Sequence, residues 1–217
     1  MKKIKNFIIT NKMFVITIII LLGGQSIMYF ALKFLQNNPH YINYYLDDKI
    51  PFIGYFIYIY NMFYPFTLIA LYYLYTKDKE TYYKGIIAGT MGYLLCDIIF
   101  ILYPTIMYRP VIPNISPITD FVIKITYIYD NPPLNCFPSI HCLFSFQVIY
   151  SFLKSSLTKK TKFIVTLIFI LIIISTLLVK QHYIFDVISA FLICIITNNI
   201  ENVFKIYTRL KKKISYK

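Results

Sequence analysis

Six apolar runs, most of them long enough to cross about 30 Å of hydrocarbon, constrain this chain more than any other feature. They lie at roughly 13–35, 50–75, 85–103, 136–153, 163–179 and 183–200. In lipid such segments satisfy their backbone groups as helices. The spacing predicts an all-α bundle of six transmembrane helices, a single membrane domain over 1–217. Composition agrees: 58% of residues are hydrophobic and 14% charged, against about 25% charged in soluble domains. An ordinary soluble protein is excluded.

The cations give the bundle a direction. Of 22 Lys and Arg residues, 17 fall before the first run, in the two polar breaks around 77–84 and 154–162, or in the tail from Lys205. Only Lys33, Lys49, Arg109, Lys124 and Lys180 fall on the opposite side. The positive-inside rule therefore predicts a multi-pass protein of the plasma membrane with both termini cytoplasmic. The formal charge of +13 is read as this topology signal and not as a surface for nucleic acid, and no nucleic-acid partner is expected. A competing reading takes the first run as a cleaved signal peptide ending near Gly23 and Gly24, but the run continues through Leu35 without an A-x-A site.

One long connection, about 104–135, lies on the extracytoplasmic side and holds Pro104, Pro110, Pro113, Pro117, Pro132 and Pro133. Long loops in compact proteins are usually functional. Within it Ile118, Phe121, Val122, Ile125 and Ile128 recur at helical spacing, with Asp120 and Lys124 on another face. A short interfacial helix is expected there.

Ionisable groups at the edge or depth of a span are costly and mark sites by default. His141, Lys180, His182, Asp186 and Arg109 all fall on the extracytoplasmic side of the expected topology. His182 and Asp186, four apart, share a face if residues 182–200 are helical. The carboxylate then accepts from Nδ1 and leaves Nε2 as a lone pair, which makes the ring a nucleophile or base. His141 can be brought to the same pocket from another helix as a proton donor. Arg109 and Lys180 supply positive charge suited to a phosphoryl group. A metal bound by His141, His182 and Asp186 is disfavoured by those two cations, so no metal and no cofactor are expected.

Three segments, "YPTIMYRP" (103–110), "NCFPSIHC" (135–142) and "VKQHYIFD" (179–186), together resemble the three signatures of the type 2 phosphatidic acid phosphatase superfamily. The resemblance runs over about 85–200, a catalytic core. It implies His182 as the nucleophile that forms a phosphohistidine, Asp186 as its orienting partner and His141 as the acid for the leaving group. It further implies Arg109, Ser139 and the backbone around Ile140 as holders of phosphate oxygens, with no metal ion. Leu102, Ile140 and Thr176 stand where the family pattern has lysine, glycine and arginine. Two positive charges are thereby missing, and Lys180, one turn beyond Thr176, is expected to restore one contact. The C-F-P-S-x-H and K-Q-H-Y pattern is similar to the branch that includes sphingolipid synthases.

Asp97, in mid third span, is expected to face the bundle interior and to pair with Lys180 or Arg109, or to contact a cationic headgroup. Cys136 and Cys142 are read as small buried residues. The expected function is a membrane phosphatase that hydrolyses a lipid phosphate or pyrophosphate through a phosphohistidine at the outer leaflet. The alternatives are a lipid headgroup phosphotransferase and a non-catalytic binder or transporter of lipid phosphate.

Overall fold

The computed structural model describes residue 7, residues 9–112 and residues 114–215. Lys2, Lys3, Lys5, Pro113 and Lys217 lie outside the described residues. In chain order the helices are α1 (Lys12–Lys33), α2 (Tyr45–Lys49), α3 (Gly54–Lys77), α4 (Lys79–Leu102), α5 (Pro117–Tyr129), α6 (Ile140–Lys154), α7 (Lys159–Leu178), α8 (Ile184–Phe204) and α9 (Ile206–Ser215). Among the described residues the only β pairing is two isolated bridges, His40 with Thr105 and Ile106 with Leu134.

Five helices, α1, α3, α4, α7 and most of α8, are long and apolar enough to span a membrane. The fourth expected span is shorter than expected. Helix α6 has 15 residues and is about 22 Å long at 1.5 Å per residue, because residues 136–139 form its approach loop and not its first turn. Non-helical backbone at that depth is tolerated where protein surrounds it. Helix α6 is so surrounded, packing against α4, α7 and α8. Its Phe144 and Phe152 are fully buried with Tyr82 and Phe100 of α4 and Phe169 of α7. The approach of α4 to α6 depends on Gly85, Gly89 and Gly92, where an added Cβ would meet Ser151, Phe144 and Leu143 at 2.4, 3.2 and 3.0 Å. Gln147 of α6 and Asn198 of α8 exchange amide hydrogen bonds at 3.2 and 2.8 Å, a polar tie suited to a bundle in lipid.

Large apolar side chains face outward along the spans, among them Ile20, Ile27, Ile98 and Phe163, as in a protein whose solvent is hydrocarbon. At one end of the bundle Asp78 and Ser156 join the two polar breaks by a 2.9 Å hydrogen bond from the Ser156 amide. The other end collects residues 34–53, 103–112, 114–139 and 179–183, linked by hydrogen bonds from the His40 amide to Pro104 and from the Ile53 amide to Leu178.

The expected interfacial helix is α5. Ser116 caps it by accepting from the Thr119 amide at 3.2 Å, and Pro117 occupies the first turn, where no amide is needed. Its Ile118, Phe121, Ile125 and Ile128 are exposed, while Ile123 is buried against Ile57 and Val179. Ile118 and Ile128 thus form an outward apolar edge, while Phe121 and Ile125 also border the cavity described below.

Candidate active site

A cavity of about 430 Å³ opens where α1, α3, α5 and the start of α6 meet the 179–183 turn, and both His141 and His182 line it. Tyr29, Tyr60, Phe63, Tyr64, Tyr93 and Tyr129 supply much of its wall.

Helix α7 delivers His182 to that wall through its C-terminus. The amides of Lys180 and Gln181 donate to the carbonyls of Leu177 and Thr176 at 3.2 and 2.9 Å, and Lys180 adopts φ 50°. This is a Schellman motif, in which a left-handed residue turns the chain back across the helix end. The His182 amide also donates to Thr176, at 3.2 Å. Helix α8 then begins at Ile184, so His182 precedes it and the expected shared helical face does not bring His182 and Asp186 together. Instead Asp186, in the first turn, reaches back as a capping carboxylate. Its Oδ2 accepts from the Tyr183 amide at 2.8 Å and lies 3.1 Å from His182 Nδ1.

His182 Nδ1 also lies 3.2 Å from the Cys136 carbonyl oxygen. Both neighbours accept, so the proton sits on Nδ1, and Nε2 is the nitrogen left with a lone pair. Asp186 is fully buried and His182 8% exposed. His141 is the second residue of α6, its ring 6.1 Å from that of His182 and packed among Tyr60, Phe63 and Tyr64.

The remaining expected site residues are placed differently from one another. Ile140 lines the cavity. Ser139 is buried behind it as the cap of α6: its hydroxyl accepts from the Cys142 amide at 3.1 Å and its own amide donates to the Asp186 carbonyl at 3.2 Å. Ser139 therefore ties α6 to α8 and does not line the cavity. Arg109 stands one layer out. Its Nη2 donates to Asp130 at 2.5 Å and to Gln181 Oε1 at 2.9 Å, its Nη1 donates to the carbonyls of Tyr127 and Asp130, and its guanidinium lies over the Tyr127 ring.

Lys180 does not reach the cavity. Helix α7 ends at Leu178, so Lys180 is not one helical turn beyond Thr176 on a common face. The left-handed turn sends its ammonium to the carbonyls of Asp47 and Ile50 at 2.8 and 2.7 Å. Burial holds that ammonium below the usual lysine range, against the opposing pull of Asp47 and Asp48.

Asp97 is buried inside the bundle as expected, but its hydrogen-bond partner is Gln25 of α1 at 3.0 Å, not Lys180 or Arg109. Those two cations belong to the end of the bundle, whereas Asp97 lies along α4. Cys136 and Cys142 are both buried, as expected. Among the described residues no three His, Cys, Asp or Glu side chains gather as a ligand set for a metal.

Two functional candidates escape sequence reasoning. Asp130 lines the cavity and binds Lys33 of α1 at 2.6 Å, Arg109 at 2.5 Å and the Tyr29 hydroxyl at 2.7 Å. Gln181 lines it beside His182. Asp130 had a signal, being one of only nine acids in the chain and set in the same loop as Arg109. Gln181 had none beyond adjacency.

No curated protein and no solved structure matches the chain. A family profile does, over residues 35–199, a stretch that contains both histidines, Asp186, Arg109 and the whole of the cavity except its α1 wall. The chain belongs to the PAP2 superfamily.

Proposed function

We propose that this membrane protein is a metal-independent enzyme that cleaves the phosphate ester of a lipid through a phosphohistidine at His182. The observation that carries the reading is the fixed tautomer of His182, whose Nδ1 is held by Asp186 and the Cys136 carbonyl while its ring lines a cavity shared with His141. The Nε2 lone pair attacks phosphorus, an N–P bond forms, and the P–O bond to the leaving alcohol breaks. His141 gives a proton to the departing oxygen. A water then loses a proton to His141, attacks phosphorus and releases the phosphate from Nε2. Positive charge on Arg109 offsets charge on the phosphoryl oxygens.

Lipid is the favoured substrate because the cavity wall is built from four membrane helices and from α5, which exposes large apolar side chains on its outer side. The cation count supports an orientation in which this end of the bundle faces the outer leaflet of the plasma membrane and the termini the cytoplasm. A second reading, transfer of the phospho-headgroup to a lipid hydroxyl in place of water, is favoured by the aromatic lining, which suits an alcohol better than bulk water.

Purified protein in neutral detergent should release phosphate or headgroup from lipid phosphates in the presence of EDTA, and His182→Ala should lower the rate by at least about 10³-fold. Activity abolished by EDTA, or retained in His182→Ala, would contradict the reading.

A further inference from the structure

Gln181 has no part in the mechanism above, yet its environment is that of a binding group. It is 4% exposed and lines the cavity next to His182. Its Oε1 accepts from Arg109 Nη2 at 2.9 Å. A guanidinium only donates, so this contact decides the orientation of the amide: oxygen towards Arg109, nitrogen away from it. That nitrogen is buried and has no hydrogen-bond partner, and neither has Arg109 Nε. An unmet buried N–H costs about 1–3 kcal/mol, so two on one linked pair of side chains call for a ligand that accepts.

Charge narrows the ligand. Among the described residues no Lys or Arg lines the cavity. Arg109 and Lys33 both end on Asp130, so the three groups together carry one positive charge, and the positive charge of His141 as proton donor is balanced by the Asp186 carboxylate that holds His182. Lys180 is committed to the carbonyls of Asp47 and Ile50. A doubly charged phosphate monoester would leave one negative charge uncompensated in a site walled mostly by apolar and aromatic side chains, which is costly. A phosphodiester, with one charge, matches the cluster.

We propose that Gln181 donates its Nε2–H to a non-bridging oxygen of the substrate phosphoryl group, and that the subsite it forms with Arg109 selects a singly charged phosphodiester over a doubly charged monoester. The proposal rests on the phosphohistidine reading above. When His182 attacks a diester, the P–O bond to one alcohol breaks, His141 protonates that alcohol, and the phosphate stays esterified to the other alcohol until a hydroxyl or water displaces it from His182.

The test compares phosphatidic acid, a monoester, with phosphatidylglycerol and phosphatidylcholine, two diesters, in neutral detergent micelles, with diacylglycerol as the common readout. The wild type should favour at least one diester over phosphatidic acid by about tenfold or more in kcat/KM. Gln181→Glu keeps the oxygen that Arg109 binds and removes the N–H but adds a negative charge, so Gln181→Met, which removes the N–H without adding charge, is its neutral counterpart. Gln181→Glu should raise KM for the diester about tenfold or more with an unchanged thermal midpoint, and Gln181→Met should raise it by a similar factor. A Gln181→Glu enzyme with KM within about twofold of wild type, or a wild type that prefers phosphatidic acid, would overturn the proposal. His182→Ala is the control for the underlying reading: diacylglycerol release that survives in it, or no release from any of the three lipids by the wild type, contradicts the phosphohistidine account on these substrates and the proposal with it.

Discussion

Asp186 holds two neighbours with one carboxylate oxygen, and that economy explains why the 179–186 segment works as a unit. The Tyr183 amide at 2.8 Å fixes the start of α8, and the His182 ring at 3.1 Å is held by the same atom. Residue identity was legible in the sequence for His141, His182 and Asp186, since ionisable groups are rare in such a chain and these cluster at one end. The geometry of their meeting was not, because it depends on the ends of α7 and α8, and helix ends are the least certain part of a sequence reading. Lys180 shows the consequence. Periodicity assigns it to the face of Thr176, but the Schellman turn points its ammonium at the carbonyls of Asp47 and Ile50. Lys180→Gly keeps the left-handed backbone and removes the ammonium. Its kcat/KM is expected within about threefold of wild type, whereas Arg109→Ala should fall by about 100-fold or more; a large loss in Lys180→Gly with normal thermal stability would return Lys180 to the substrate.

At the scale of elements, five spans and α5 follow from hydrophobic runs and helical spacing, while α6 departs because its first expected turn is the loop that presents Ser139, Ile140 and His141. The glycines of α4 that admit α6 were not legible: a glycine in an apolar run carries no mark of which helix will approach it. The polar breaks were. Asp78 caps α4 by accepting from the Thr81 amide at 3.1 Å and also accepts from the Ser156 amide at 2.9 Å, so it holds both turns at that end. Partial burial pushes its carboxyl up, but the hydrogen bonds from Ser156 and Thr81 together outweigh this and hold it below the usual range. A carboxyl lowered in the folded state stabilises the fold above its unfolded pKa, and that contribution is lost as pH falls through the lower, folded value. Asp78→Ala should cost about 1 kcal/mol at neutral pH, read as a lower thermal midpoint in detergent. The difference from wild type should shrink in acid below about pH 4; a difference that grows there would show that the carboxylate is not the stabilising form.

The described residues form a helical bundle in which His141 and His182 lie at one end, bordered by a strap, 114–135, that is itself fastened to α1 through Asp130, Lys33 and Tyr29. Those fastenings join α1 to residues about a hundred positions away, and no spacing in the sequence announces contacts of that range. Lys33 lies just outside the stretch matched by the family, 35–199, while its partner Asp130 lies inside it. The central claim is covalent: a phosphate passes through His182. It is tested most directly by mixing His141→Ala protein with a radiolabelled lipid phosphate bearing a leaving group good enough to depart without an acid, quenching in alkali and mapping the labelled peptide. The account predicts alkali-stable, acid-labile label on His182, absent from the His141→Ala, His182→Ala double variant. Label on another residue, or turnover with no labelled protein at any time, would contradict it.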